Sequence, residues 1–249
     1  MFVSPHATTG LARASRPSPV PNPNALLAAL PPDEYVRLRR TLQLIPLKHK
    51  TVLHKPGERI QYVYFPGGGF CSIAAVLENG RMVEVATVGR EGIVGVSAVW
   101  DGISSPALSI VQGETNLCFR MTADAFRCEM RRRGVFHDRL TRFAQGFLGF
   151  TMQAVACNYV HSVEQRLDRW FVMAHDRMGG AKFPVTQELI AMMLGASRPT
   201  VTVIARKLQQ AGLITYRRGY VTIVDRQRLE LASCKCYRTV TDLLQAVDD

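Results

Sequence analysis

Thr186-Gln-Glu-Leu-Ile-Ala-Met-Met-Leu-Gly-Ala-Ser-Arg-Pro-Thr-Val-Thr-Val-Ile-Ala-Arg-Lys-Leu-Gln-Gln-Ala-Gly212 reads as two short helices broken at Gly195-Ala196. Thr186 can N-cap the first, with Glu188 placed in the positive first turn. Ser197 can N-cap the second, where Pro199 is tolerated because first-turn N–H groups have no intrahelical partner. In that second helix Val201, Ile204, Ala205, Leu208 and Ala211 share one face at helical spacing, and Arg198, Thr202, Val203 and Arg206 are left on the other. Gly212 stops it. Leu213–Tyr216 and Tyr220–Val224 then read as two strands joined by Arg217-Arg218-Gly219. A tight helix pair followed by a hairpin is a winged helix-turn-helix, whose second helix can enter a DNA major groove.

Charge agrees with that reading. From Leu189 to Val224 there are five basic residues (Arg198, Arg206, Lys207, Arg217, Arg218) and no acid. They stand at the start of the second helix, on its later turn and at the wing tip, where phosphates would flank a groove-inserted helix. The residues expected at duplex DNA are Thr186, Gln187, Ser197, Arg198, Pro199, Thr200, Thr202, Val203, Arg206, Lys207, Arg217 and Arg218. The competing reading is a solvated basic face on a ligand-binding sensor whose winged helix makes protein contacts.

Outward from this stretch, 249 residues are enough for two domains with cores of their own. A 47% hydrophobic and 20% charged composition is that of a globular chain, and the net charge of +11 favours a polyanionic partner. No apolar run reaches the roughly 18 residues of a membrane span. The six cysteines (Cys71, Cys118, Cys128, Cys157, Cys234, Cys236) contain no C-x-x-C and suit a reducing cytoplasm.

Residues 1–24 hold five prolines and two arginines without an acid, which predicts a disordered arm. Its composition also resembles a transit peptide, though no amphipathic helix precedes the prolines. Ala25–Leu30 and Asp33–Leu42 read as short helices. Between Thr51 and Met121 the period becomes that of strands: Tyr62–Phe65, Phe70–Leu77, Met82–Val88, Ala107–Val111 and Thr115–Met121. Asn79-Gly80 is a two-residue hairpin signal. Many short strands with glycine turns indicate an antiparallel roll or jelly roll. The fold class is therefore α+β: a β-roll over 25–134, a long helix over 135–161, a winged helix-turn-helix over 162–230 and a tail over 231–249.

The long helix carries Phe136, Leu140, Phe143, Phe147, Phe150, Ala154, Cys157 and His161 at spacings of 4, 3, 4, 3, 4, 3 and 4. Such a seam predicts pairing with a second copy of the helix; a helix packed on its own barrel is the alternative. His161 has a switching role open to it, since protonation would place charge in that interface. Ser162-Val-Glu-Gln165 has the capping-box pattern and starts a new helix, Val163–Arg177, at a hinge.

In that order, roll, long helix, Ser-capped helix and helix-turn-helix, residues 25–224 resemble the Crp/Fnr family of bacterial transcription regulators. The specific match is Val185-Thr-Gln-Glu-Leu189, Leu194-Gly-Ala-Ser-Arg198, Val201, Leu208 and Gly212-Leu-Ile214. The resemblance implies a homodimer with a cyclic-nucleotide-binding-like sensor, a palindromic promoter site, RNA polymerase as a partner and a small-molecule effector. Departures from the family pattern narrow this. Val96 follows Gly95 where cyclic-AMP-binding members carry Glu, and Pro106-Ala107 replaces their Arg-Ser/Thr pair. Without the guanidinium a cyclic phosphate loses its fork-shaped contact, so cyclic AMP is disfavoured. An iron–sulfur cluster is disfavoured too, because the first cysteine is Cys71. On the reading helix, Pro199 and Val203 stand where well-known members have an acid and a second Arg. Arg198 remains for guanine O6 and N7, with Thr200, Thr202 and Val203 as further contacts.

Gly89-Arg-Glu-Gly-Ile-Val-Gly95 is the candidate effector cradle, with Gly89, Arg90, Glu91, Gly92 and Gly95 supplying backbone N–H groups and charge; a structural Arg–Glu pair in a glycine turn is its alternative. Cys234-Lys-Cys236 is too short for a metal site without further ligands, and no cofactor or metal is assigned. No nucleophile–base set, phosphate loop or carboxylate pair points to catalysis, so an enzyme is not expected.

Overall fold

A computed structural model describes residues 23–245. The proline-rich arm falls outside them except for its last two residues, and Asn24 corrects the expectation of disorder there. It is fully buried, N-caps the helix α1 (Ala25–Ala28), and donates through Nδ2 to the carbonyls of Pro66 and Gly92, both at 2.9 Å. Helix α2 (Pro32–Leu38) begins at Pro32 rather than Asp33, since a first-turn proline has no N–H to strand.

The roll has two antiparallel sheets. One takes the order β1-β7-β3, from Gln43–Leu47, Thr115–Thr122 and Tyr62–Pro66. The other takes β2-β6-β4-β5, from Val52–His54, Leu108–Val111, Cys71–Val76 and Met82–Val88. Strand β1 was not legible in the sequence: it contains Pro46, and its register against β7 breaks between Ile45 and Leu47. The Asn79-Gly80 turn closes the β4–β5 hairpin with Gly80 at φ 77°. Thr122 caps α3 (Ala123–Met130), accepting from the Ala125 N–H at 3.3 Å.

Helix α4 (Val135–Val160) runs beside the roll, and its packing corrects the dimer seam. Phe136, Leu140, Phe143, Phe150, Ala154 and Cys157 are all buried within the same chain. Phe136 packs edge-on to Phe126, with ring centroids 5.8 Å apart, and Phe143 lies so close to Gly92 that a Cβ there would overlap its ring. Phe150 shares the roll's core with Val240 and Leu244 of a C-terminal helix, α9 (Cys236–Gln245). Phe147 and His161 are half-buried. Residues 231–245, read from sequence as tail, are thus largely helical, and α9 lies against α4.

The second core belongs to α5 (Val163–Met178), α6 (Gln187–Leu194), α7 (Arg198–Gln210) and a three-stranded wing in the order β8-β10-β9, from Lys182–Pro184, Tyr220–Ile223 and Ile214–Arg217. Strand β8 supplies an edge to which the sequence reading assigned no element. Helix α8 (Arg226–Ala232) follows the wing. Ser162 and Gln165 form the expected capping box at the start of α5.

The two cores meet along α5. Trp170 Nε1 donates to Glu84 Oε1 of β5 at 2.9 Å, and the other carboxylate oxygen accepts from Ser72. Arg177 grips Glu91 through Nε and Nη2 at 2.9 and 2.7 Å. Burial pushes the Glu84 carboxyl up to about 7, against the pull of its two hydrogen bonds. Among the described residues no single helix is long and apolar enough to cross a membrane.

Candidate nucleic-acid interface

The helix pair is shaped by its caps. The Leu189 N–H donates to Thr186 Oγ1 at 3.1 Å, and the Thr200 N–H to Ser197 Oγ at 3.2 Å. Gly195 ends α6 at φ 61°, a left-handed conformation that favours glycine, and α7 leaves at 111° to α6. Val201, Ile204, Ala205 and Leu208 bury one side of α7 against α6 and the wing. Arg198, Pro199, Thr200, Val203, Arg206 and Lys207 are exposed on the other, with Thr202 half-buried.

Several of these side chains already have partners. The Thr202 hydroxyl lies 2.7 Å from Gln187 Oε1 and 2.9 Å from the Arg198 carbonyl oxygen, which ties α6 to the outer face of α7. Lys207 Nζ pairs with Glu164 at 3.1 Å, both side chains well exposed. Arg198, Arg206, Arg217 and Arg218 have no acidic partner among the described residues. At the wing tip Arg218 and Gly219 both take positive φ, 50° and 77°, the signature of a two-residue type I′ turn that carries Arg218, with Arg217 closing β9 beside it opposite Tyr220. Sequence reading missed Lys182, whose ammonium stands 5.0 Å from the Tyr220 ring centroid and adds a cation to the wing. Its only signal was a basic residue in a segment too short to be recognised as a strand.

The glycine loop is not an open cradle. Glu91 Oε1 accepts the Gly89 N–H at 3.0 Å and also receives Arg177, so the loop's anion is the chain's own carboxylate. Gly92 abuts Phe143, and Arg90 is exposed. Only Gly95 of that set lines the roll's cavity, a space of ≈ 260 Å³. Its walls are apolar at Val85, Ile93, Pro106 and Phe147, with hydroxyls at Ser97, Ser105, Ser109 and Thr151 and no charged side chain. Such walls cannot neutralise a phosphate.

A fourth feature corrects the reading of Cys234-Lys-Cys236 as a pair lacking other ligands. Cys157 and His161, from the end of α4, converge on it, and the four donor atoms lie within 4.8 Å of one another.

Residues 165–232 match the Crp-like helix-turn-helix domain. Comparison with curated protein sequences gives no match. Among solved structures, one described as a transcriptional regulator of the Crp/Fnr family from Eubacterium rectale superposes with a TM-score of 0.66 at 18% identity, covering 85% of this chain and 98% of that one. A CRP-family regulator from Thermus thermophilus gives 0.59 at 19% identity, covering 76% and 95%. FixK2 from Bradyrhizobium japonicum gives 0.60 at 14%, covering 78% and 98%. At such identities the likeness is one of fold. The α+β chain is accordingly a β-roll joined by a long helix to a Crp-like helix-turn-helix domain, with the fold of the Crp/Fnr transcription regulators.

Proposed function

We propose that this protein is a cytoplasmic, homodimeric regulator of transcription that reads a palindromic DNA site with α7. The observation that carries the reading is the outer face of that helix. It combines an unpaired arginine at the N-terminal end, an apolar Val203 suited to a thymine methyl, and flanking cations for phosphates. A second copy is needed because one short helix reads few base pairs, and two must reach half-sites about 34–36 Å apart.

The dimer surface we assign is the exposed stripe of α4, Leu148, Met152, Val155 and Tyr159, which is 49, 63, 65 and 93% accessible. These residues recur at spacings of 4, 3 and 4 and leave apolar side chains in water that a second α4 would cover. Phe147 and Thr151, immediately beside that stripe, form part of the roll's cavity. A small uncharged ligand filling the cavity would therefore press on the helix that pairs the copies, shifting the balance between arrangements of the two α7 helices. RNA polymerase is the partner such a promoter-bound dimer would serve.

Selection of bound duplexes from a random pool, followed by binding at increasing salt, tests this reading. Enrichment of a two-fold symmetric sequence, with affinity falling steeply as salt rises, is the expected result. Failure to retain any DNA at low salt would overturn it in favour of a winged helix that contacts protein.

A further inference from the structure

We propose that Cys157, His161, Cys234 and Cys236 form a closed, four-ligand site for one Zn²⁺ ion at the hinge between α4 and α5. Cys157 and His161 are one helical turn apart at the end of α4. His161 leaves the helix in extended backbone, φ −101° and ψ 147°. Cys234 lies in the turn between α8 and α9, and Cys236 opens α9. Cys157 Sγ is 3.5 Å from Cys234 Sγ, and Cys236 Sγ is 3.6 Å from His161 Nδ1. A tetrahedron with metal–sulfur legs of about 2.3 Å has sulfur–sulfur edges of about 3.8 Å and slightly shorter sulfur–nitrogen edges, so these two separations are close to those of a filled site.

The donor set chooses the ion. Three thiolates and an imidazole, with no carboxylate, exclude calcium and magnesium and match the Cys₃His sites that hold zinc structurally. The three cysteines are no more than 4% exposed and form a cluster apart from both hydrophobic cores. Four protein ligands leave no open position for water on a tetrahedral ion, so the site would fasten elements together rather than carry out catalysis. Three thiolates around a dication leave one net negative charge, and the cationic Arg169 of α5 lies within electrostatic reach of Cys157 and Cys234. Nε and Nη1 of Arg169 have no hydrogen-bond partner among the described residues. Gln153 Nε2 donates to Cys236 Sγ at 3.1 Å, the outer-shell bond that orients a ligating sulfur. Buried free thiols packing as small apolar groups would account for the cysteines but not for the imidazole and amide turned toward them. The ion would clamp the α8–α9 turn to the last turn of α4, next to Ser162, where the DNA-reading half begins.

Cobalt titration of the full-length, reduced, chelator-treated protein tests the site without reference to DNA. Tetrahedral d–d bands with thiolate charge transfer, saturating at one equivalent and bleached by Zn²⁺, are expected. Zn²⁺ should protect Cys157, Cys234 and Cys236 from alkylation and leave the exposed Cys128 reactive, which maps the ligands with no substitution at all. Gln153→Leu should weaken cobalt binding by about 10-fold and Cys236→Ser by more than about 100-fold, while Cys128→Ser changes nothing. Reduced protein that gives no cobalt spectrum would overturn the site, as would bands that survive in a Cys157→Ser/Cys236→Ser double variant. So would a Cys157–Cys234 disulfide that, once reduced, takes up no cobalt, which would make the pair a redox couple instead.

Discussion

Arg198 and Lys207 differ in what they can offer to DNA. Lys207 must give up or share Glu164, whereas Arg198 has no acid to release and stands in the first turn of α7, which enters a groove first. Arg198→Ala is therefore expected to cost roughly 1–3 kcal/mol on the selected site and to relax discrimination at one base pair, read by competition between single-base variants of that site. An equal loss on every sequence would reassign it to a phosphate. Arg217 at the end of β9 and Arg218 on the wing turn should behave in the opposite way. Replacing either by Ala should weaken all duplexes alike and reduce the slope of log affinity against log salt by about 0.9. These positions were readable from sequence because capping and helical period are local: Ser197, Pro199 and Gly212 fix where α7 starts and stops. The Thr202–Gln187 contact was not, since it depends on the angle at which two helices cross.

Helix α4 shows where a pattern of residues is ambiguous. Two stripes with the same 4, 3, 4 spacing run along it two residues apart, about 160° around the axis. The aromatic stripe draws attention by size, yet Phe143 and its neighbours fill the roll and the α9 contact, and the smaller Leu148-Met152-Val155-Tyr159 stripe is the one left in water. Spacing cannot choose between them, because the choice rests on α9. That helix's anchors Val240 and Leu244 lie in a segment that the sequence reading leaves as tail. The two stripes separate cleanly in mutants. Val155→Lys should convert the proposed dimer to monomer in sedimentation velocity, with thermal unfolding of the monomer intact. Phe143→Ala should cost about 3–5 kcal/mol of folding stability through the cavity it leaves, irrespective of chain association. A Val155→Lys protein that stays dimeric would remove this face from the proposed assembly.

Across the whole molecule, the roll and the reader are joined by a seam of charge and polar groups, and the seam responds to pH. The sequence marks Glu84 only as one residue of a strand; the packing of α5 is what buries its carboxyl and raises it from an ordinary 4.5 to about 7. Asp168, also on α5, is raised by burial from 3.8 to about 7, with repulsion from Glu164 adding to it. For both groups the folded chain keeps a proton that the unfolded chain has already released over the interval between the two values. The stability they contribute is fully present below about pH 4 and is lost as pH rises towards 7. Glu84→Gln leaves an amide that can accept from Trp170 and donate to Ser72 without ionising. Its melting temperature should therefore fall less than that of the parent between pH 4.5 and 7, with the slope due to Asp168 remaining. Since about 1 kcal/mol moves the midpoint by roughly 2–4 °C in a chain of this size, a calorimetric pH series resolves the difference. Parallel curves for parent and variant would mean that water reaches Glu84, and that the roll and the reader part more readily than Trp170 and Arg177 suggest.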